Sequence, residues 1–208
     1  GLHAGLDGFT IGLVTDIHSS VSMRREDMEE VVRRLNALQC DLVVVGGGPA
    51  GITAALYVER ARHLTIRNCV LHDSGNGLFV GAFYGDTRDI TIEGNWIHGN
   101  GNAGSIYEHN TYTAAIGIVY ANNRFGPLRA GASGNNLKDR SAGLVVRNNW
   151  IEGGNRQLDL VDGEDTQVIV DDPSYRETFV YGNVLIEPDG AGNSQIIHYG
   201  GDSGDEAI

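Results

Sequence analysis

Six side chains in the second half of the sequence are of the types that acid–base chemistry requires: Tyr107, His109, Lys138, Arg140, Asp159 and Asp162. Lys138 is the candidate base, and Arg140 is the candidate cation for an anionic group of the substrate. His109 or Tyr107 would protonate a leaving oxygen. A base, a cation and an acid in one patch meet the requirements of β-elimination beside a carboxylate. Asp159 and Asp162 could hold Ca²⁺ there, because that ion prefers oxygen ligands.

Residues so far apart in sequence meet only if the chain coils, and an internal repeat predicts that it does. One pattern recurs five times. It starts with two apolar residues separated by one residue. After two further residues comes Asn or Cys, and after one more residue comes another apolar residue. The Asn or Cys positions are Cys69, Asn95, Asn123, Asn149 and Asn183. The alternation predicts a short strand with one buried face. The side chain at each bend can hydrogen-bond to the next coil, so we expect stacked parallel β-helix coils.

A second strand is predicted after each bend, and its register decides which side chains meet. These strands are expected at residues 77–80, 105–109, 136–140, 157–162 and 195–199. We take their inward positions to be Leu78, Ile106, Leu137, Leu158 and Ile196. Tyr107, Lys138 and Asp159 would then stack outward on adjacent coils, about 4.8 Å apart. His109 and Arg140 would lie beside them.

The same register has an energetic difficulty. It directs the side chains of Glu108 and Asp139 inward, where an unpaired charge is costly. The strand must therefore bend near these residues, or its register must differ by one.

Three segments resemble coils of bacterial right-handed β-helix repeat proteins, the pectate-lyase-like superfamily. They are LTIRNCVLHDSGNGLFV, ITIEGNWIHGNG and LVVRNNWIEGGNRQLDL. The resemblance covers residues 52–208. It implies a mainly β fold, a right-handed parallel β-helix (solenoid) of five to six coils, and favours an extracellular or periplasmic location. Chondroitinase B and alginate lyase types in this superfamily cleave uronate polysaccharides with a Lys, an Arg and carboxylate-bound Ca²⁺. Lys138, in LKDRSAG, resembles their Lys motif and implies a polysaccharide partner.

Other interpretations of these residues stay open. A non-catalytic structural or carbohydrate-binding solenoid could carry Lys138, Asp159 and Arg140 as a solvated series of ion pairs. His72 and His98 occupy equivalent positions in successive coils, which fits either a metal site or an exposed stack. Binding without product formation would distinguish the solenoid from a lyase.

The first part of the chain predicts a different unit, a βαβ segment over residues 9–47. Strands are expected at 9–15 and 41–45, with an amphipathic helix at 24–39 between them. This segment resembles the start of calcineurin-like metallophosphoesterases, with TDIHSS before the helix and DLVVVGG after it. The resemblance implies that Asp16 and His18 bind a metal. Gly48 stands where that family has its bridging Asp, so a phosphoesterase remnant is a further alternative.

The chain therefore looks composite, which leaves open a natural fusion, a trimmed chain or an engineered chimera that could lack activity. Residues 1–47 would cap the open end of a β-helix formed by residues 48–208. A third resemblance overlaps the junction: within 41–62, VVVGGGPAGITAALY resembles the dinucleotide-binding turn of flavoproteins. Arg67 and Cys69 lie where that turn needs a later acidic residue. We interpret the glycines as an entry into the coils and expect no flavin or NAD.

Composition and charge exclude two classes of partner. The formal net charge is −12, and residues 63–208 contain 19 acidic and nine basic side chains, which opposes binding to nucleic acid. No run of residues approaches the about 20 apolar positions that a membrane-spanning helix needs. The two cysteines, Cys40 and Cys69, leave a disulfide open. The C-terminal coil has no predicted cap, so its strand edges could mediate self-association.

Overall fold

The computed structural model describes residues 11–15, 33, 42–46, 56–59, 61–83, 85, 87–164, 166–191 and 194–201. The chain divides into two compact units, residues 1–53 and 54–208. In the first unit, strand β1 (Ile11–Thr15) pairs in parallel with strand β2 (Leu42–Gly46), where the two strands of the βαβ segment were predicted.

Several predictions for the N-terminal part lie outside the described residues. These are the metal-binding roles of Asp16 and His18, the turn at Gly48 and most of the helix predicted at 24–39. Within that predicted helix only Arg33 is described, and it is helical. The capping role of residues 1–47 stays a prediction. Cys40 also lies outside the described residues, whereas Cys69 is exposed and its thiol is free.

The second unit consists of three sheets in which every strand is parallel to its neighbours. The first sheet contains β4 (Thr65–Arg67), β7 (Arg88–Glu93), β10 (Ile116–Ala121), β13 (Ala142–Arg147) and β16 (Phe179–Tyr181). The second contains β5 (Val70–His72), β8 (Trp96–His98), β11 (Arg124–Phe125), β14 (Trp150–Glu152) and β17 (Val184–Ile186). The third contains β3 (Leu56–Glu59), β6 (Leu78–Gly81), β9 (Thr111–Thr113), β12 (Leu137–Asp139), β15 (Leu158–Val161) and β18 (Ile197–Gly200).

Neighbouring strands in all three sheets come from successive repeats, so each repeat forms one coil. The fold is mainly β, with stacked parallel sheets of the kind that a β-helix or solenoid contains. Because β3 pairs with β6, residues 56–59 already belong to this stack.

The inward side chains of successive coils form one apolar core, as the alternation in the sequence predicted. Ile92, Ile97 and Leu137 are fully buried in one cluster with the equivalent residues of adjacent coils. Burying an aliphatic side chain of this size contributes roughly 1.5–3 kcal/mol. The cluster therefore explains why each coil needs an apolar residue at every second strand position.

The asparagines of the repeat form a hydrogen-bonded column, the Asn ladder, made of Asn95, Asn123, Asn149 and Asn183. Each ladder Oδ1 accepts the backbone N–H at the same position of the preceding coil, at 2.9 Å. Each Nδ2 donates to a backbone carbonyl near the end of a first-sheet strand. The predicted hydrogen bonding between coils is confirmed.

The residue before each ladder position has a left-handed backbone. The backbone angle φ lies between 55° and 67° at all five positions, which are Asn68, Gly94, Asn122, Asn148 and Gly182. Only glycine adopts such angles readily, and asparagine tolerates them better than other residues. The abundance of these two residue types in the sequence follows in part from this bend.

The longest interval of the repeat accommodates a helical turn, α1 (Gln167–Val170). The Thr166 side chain caps its N-terminus by accepting the N–H of Val168. Ile169 is buried in a small cluster with Ala82, Ala114 and Ala142, beside the main core. The extra residues therefore form an outer layer without interrupting the parallel sheets.

The predicted strand at 105–109 is wrong: the third-sheet strand of that coil is β9, Thr111–Thr113. Ile106, predicted to face inward, and Tyr107 are 59% and 78% exposed. The inward side chains of β9 are Thr111 and Thr113, both fully buried. A search for apolar alternation passes over such a strand because threonine is polar and is more often exposed than buried.

The last coil also differs from its prediction by one residue. Ile197 pairs with Leu158, so it occupies the inward row that was assigned to Ile196. Among the described residues, no strand pairs with the far side of β16, β17 or β18, and most of their apolar side chains are exposed. Self-association through this coil stays a prediction.

Candidate active site

Five outward side chains of the third sheet form one continuous row. Strand pairing aligns consecutive members of the series Phe79, Tyr112, Lys138, Asp159 and His198. We call this series the third-sheet row. The predicted juxtaposition of Lys138 and Asp159 is present. Tyr112 lies beside Lys138 in the position that was predicted for Tyr107.

Asp159 is the centre of the row and is completely buried. Its carboxylate accepts hydrogen bonds from Asn135 Nδ2 at 2.6 Å and lies 2.9 Å from His198 Nδ1. Two cationic groups are also close, Arg156 Nη1 at 3.3 Å and Lys138 Nζ at 3.6 Å. A buried carboxylate with these partners organises its neighbours, because removing it would leave several polar groups unpaired.

Lys138 stands between this carboxylate and an aromatic ring. Its Nζ lies 5.9 Å from the centre of the Tyr112 ring, and 14% of its side chain is exposed. The sequence contains no other lysine.

Arg140 is too enclosed to receive a substrate carboxylate directly. Only 4% of its side chain is exposed, and its Nη1 donates to the carbonyl of Asp162 at 2.6 Å. Its Nη2 lies 3.3 Å from the carboxylate of Glu164. Arg140 Nε donates to Tyr112 Oη at 3.0 Å. Because the phenol oxygen accepts this bond, its own proton remains available to another acceptor.

His109 is buried behind Tyr112, with the two rings edge to face at 5.8 Å. His109 Nδ1 accepts the backbone N–H of Asn135 at 2.9 Å, so a neutral ring carries its proton on Nε2. Burial, followed by the charge of Lys138, lowers the pKa of His109 to about 4. The imidazole is therefore neutral at pH 7 and holds Asn135 in place against Asp159.

The residues predicted to hold Ca²⁺ do not form a suitable cage. Both oxygens of Asp159 face hydrogen-bond donors or cations, and the carboxylate of Asp162 lies 3.7 Å from Arg140 Nη1. Within the described ranges, no group of three or more His, Cys, Asp or Glu side chains could hold a metal ion. We therefore assign no step of the chemistry to Ca²⁺.

Sequence reasoning missed Tyr112 and Asn135 and assigned no role to His198, although a signal for β9 was present. Asn110 and Asn136 directly precede β9 and β12, and Asn110 Nδ2 donates to Asn136 Oδ1 at 2.9 Å. Asn100 Nδ2 in turn donates to Asn110 Oδ1 at 2.9 Å. Within this second asparagine column, Asn110 and Asn136 mark where β9 and β12 begin. Aligning it would have placed Tyr112 opposite Lys138.

No known protein family, no curated protein and no solved structure matches this chain. Across the described part of the chain, helices are too short or too polar to cross a bilayer.

Proposed function

We propose that the protein binds a uronate-containing polysaccharide across the third-sheet row and cleaves it by β-elimination. The supporting observation is the buried Asp159, which holds Lys138, His198 and Arg156 together on one outward face. Ion pairs on a solvated surface would be exposed and independent of one another. The resemblance of the repeats to pectate-lyase-like right-handed β-helix proteins supplies the substrate class.

The geometry suggests how the proton transfers are divided. The Lys138 ammonium first releases a proton to solvent, and the resulting free amine removes the proton from C5 of the uronate. The electron pair forms the C4–C5 double bond, and the C4–O bond breaks. Tyr112 donates its proton to the departing oxygen. Lys138 then returns its proton to Tyr112 through solvent, which restores both groups.

Two residues assigned from the sequence change roles in this proposal. Arg156, with 24% of its side chain exposed, is better placed than Arg140 to neutralise the uronate carboxylate. Arg140 instead positions Tyr112 through their hydrogen bond. His109 is replaced as acid by Tyr112, because a neutral imidazole is a poor proton donor at pH 7.

Substitution of Lys138 tests the reaction itself. Unsaturated uronate formed from pectate, alginate or glycosaminoglycans absorbs at about 235 nm, and we expect Lys138→Ala to lower its rate of formation by about 10²–10⁴-fold. Arg67→Ala, which removes an exposed cation on the first sheet, should leave the rate unchanged. No absorbance from any substrate, with folded protein and with or without Ca²⁺, would refute the lyase proposal.

A pair of tyrosine substitutions tests the identity of the acid. Tyr112→Phe removes only the hydroxyl and should lower the rate by at least about 10²-fold, because Tyr112 is the tyrosine that strand pairing places beside Lys138. Tyr107→Phe removes an equivalent hydroxyl from an exposed loop and should change the rate less than about twofold. Equal effects of the two substitutions in the absorbance assay would contradict the assignment of Tyr112.

A further inference from the structure

The outward face of the second sheet carries a second row, distinct from the third-sheet row. Strand pairing aligns Trp96, Arg124 and Trp150 on successive coils, and we call these residues the tryptophan strip. Trp96 is 45% exposed and Trp150 is 42% exposed. They are the only two tryptophans in the sequence. Exposed apolar patches of this kind often mark an interaction site.

The two indole rings have similar settings. The Trp96 ring stacks on His98, two residues later, with centroids 4.0 Å apart and planes 29° apart. Trp150 Nε1 donates to Glu152 Oε2, also two residues later, at 2.7 Å. Each ring therefore leans along its strand toward the following outward residue. The two rings stand two strands apart, which is about 9.6 Å along the stack.

Arg124 and the polar residues around the rings hold this arrangement and balance its charge. The Arg124 guanidinium lies 6.0 Å from the Trp96 ring centre and 3.7 Å from Glu152 Oε1. His98 also stacks on His72, with centroids 5.2 Å apart and planes 2° apart. Burial and the neighbouring His72 lower the pKa of His98, which favours its neutral form. The strip thus has one cation offset by one carboxylate, which favours an uncharged ligand.

We propose that the tryptophan strip binds a neutral β-1,4-linked glycan that lies across the strands, along the stack of coils. Successive sugars of such a chain are inverted, so every second ring presents the same face. That repeat is close to the two-strand separation of Trp96 and Trp150. Their ring faces can contact the apolar C–H faces of alternate sugars. Arg124 and Glu152 lie between and beside the rings, where they can hydrogen-bond to the sugar hydroxyls.

This site is independent of the proposed cleavage site. It lies on another sheet, uses none of the residues of the third-sheet row and selects uncharged sugars. A protein with both surfaces would bind one glycan as an anchor while it acts on uronate chains beside it. Loss of either function would leave the other measurable.

Intrinsic fluorescence gives a direct test, because both tryptophans belong to the strip. We expect saturable changes in emission with cellohexaose, chitohexaose or mannohexaose, and no change with the hexamer of polygalacturonate. Calorimetry should show that Trp96→Ala and Trp150→Ala each weaken binding at least about tenfold, since either change removes one of two stacking contacts. Tyr107→Ala, which removes an exposed aromatic ring elsewhere, should bind normally. Lys138→Ala should also bind normally.

Three results would overturn the proposal. The first is the absence of binding to every neutral β-1,4-linked hexamer. The second is binding that persists unchanged in both tryptophan variants with intact circular dichroism. The third is emission that changes with protein concentration alone, which would show that a second copy of the chain covers the strip. Lyase activity does not enter any of these measurements, so the failure of one proposal is distinguishable from failure of the other.

Discussion

Asn123→Ala is expected to lower the free energy of unfolding by about 3–5 kcal/mol, because it leaves several buried groups unpaired. Asn123 Oδ1 accepts the N–H of Asn95 at 2.9 Å and Asn95 Nδ2 at 3.0 Å. Asn123 Nδ2 donates to the carbonyl of Ile92 at 2.8 Å and to Asn149 Oδ1 at 2.9 Å. All four bonds join different coils or link the bend to a strand. Alanine restores none of them, and water has little access at a residue that is 2% exposed.

The adjacent residue provides a matched control. Asn122 is exposed and has φ of 57°, so Asn122→Gly keeps the backbone geometry and should change stability by less than about 1 kcal/mol. Urea unfolding followed by circular dichroism measures both variants. If Asn123→Ala fails to fold, Asn183→Ala, which removes the equivalent bonds at the less buried end of the Asn ladder, should give an intermediate stability. Equal stabilities for Asn123→Ala and Asn122→Gly would show that the Asn ladder contributes nothing.

Asp139→Asn is expected to stabilise the protein at pH 7, by about 3 kcal/mol at most. The Asp139 side chain points into the core and accepts hydrogen bonds from Thr113 Oγ1 at 2.5 Å and from Ser141 N at 2.8 Å. Burial raises its pKa from 3.8 to about 6, even though these bonds favour the charged form. Asparagine has the shape of the protonated acid and carries no charge, so it removes the cost of burying the carboxylate.

The direction of the pH dependence follows from the raised pKa. In the folded protein Asp139 holds its proton up to about pH 6, whereas in the unfolded chain it loses it near pH 3.8. Its contribution to stability is therefore fully present below pH 3.8 and is lost as the pH rises through 6. Asp139→Asn should match the parent protein at about pH 4 and exceed it increasingly up to about pH 7.

The contribution of His109 to stability changes with pH in the opposite direction over much of the same pH range. Its folded pKa of about 4 lies below the ordinary 6.5, so the unfolded chain binds a proton first as the pH falls. Its contribution is present above pH 6.5 and is lost as the pH falls toward 4. The pH-dependent contributions of Asp139 and His109 to stability partly cancel in the parent protein. In Asp139→Asn the slope due to His109 should remain and become visible.

Urea unfolding at about pH 4, 5, 6 and 7 separates these contributions. His109→Gln keeps an acceptor near Asn135 N and should remove the loss of stability toward acid pH. Thr166→Ala, which alters a polar cap on α1 away from both groups, should shift stability by a similar amount at every pH. A constant difference between Asp139→Asn and the parent protein across this range would contradict the raised pKa.

The sequence by itself determined the coiled architecture, the Asn ladder and the adjacency of Lys138 and Asp159. The reason is that every coil must meet the same local demands. An apolar residue must face the core, a Gly or Asn must take the left-handed bend, and an amide must pair with the backbone of the preceding coil. Because these demands recur in each repeat, the same residue types appear at similar spacing along the sequence, where they can be recognised.

Apolar alternation did not show that Tyr112, and not Tyr107, lies beside Lys138, and the tertiary structure decided it. The position of β9 depends on how the loop before it closes, and the buried threonines of that strand do not look apolar in sequence. The same holds for Asp159, whose burial arises because Asn135, His198 and Arg156 converge on it from three different segments. Alternation along one strand shows which side a residue faces. It cannot show how far loops from other coils will cover that side.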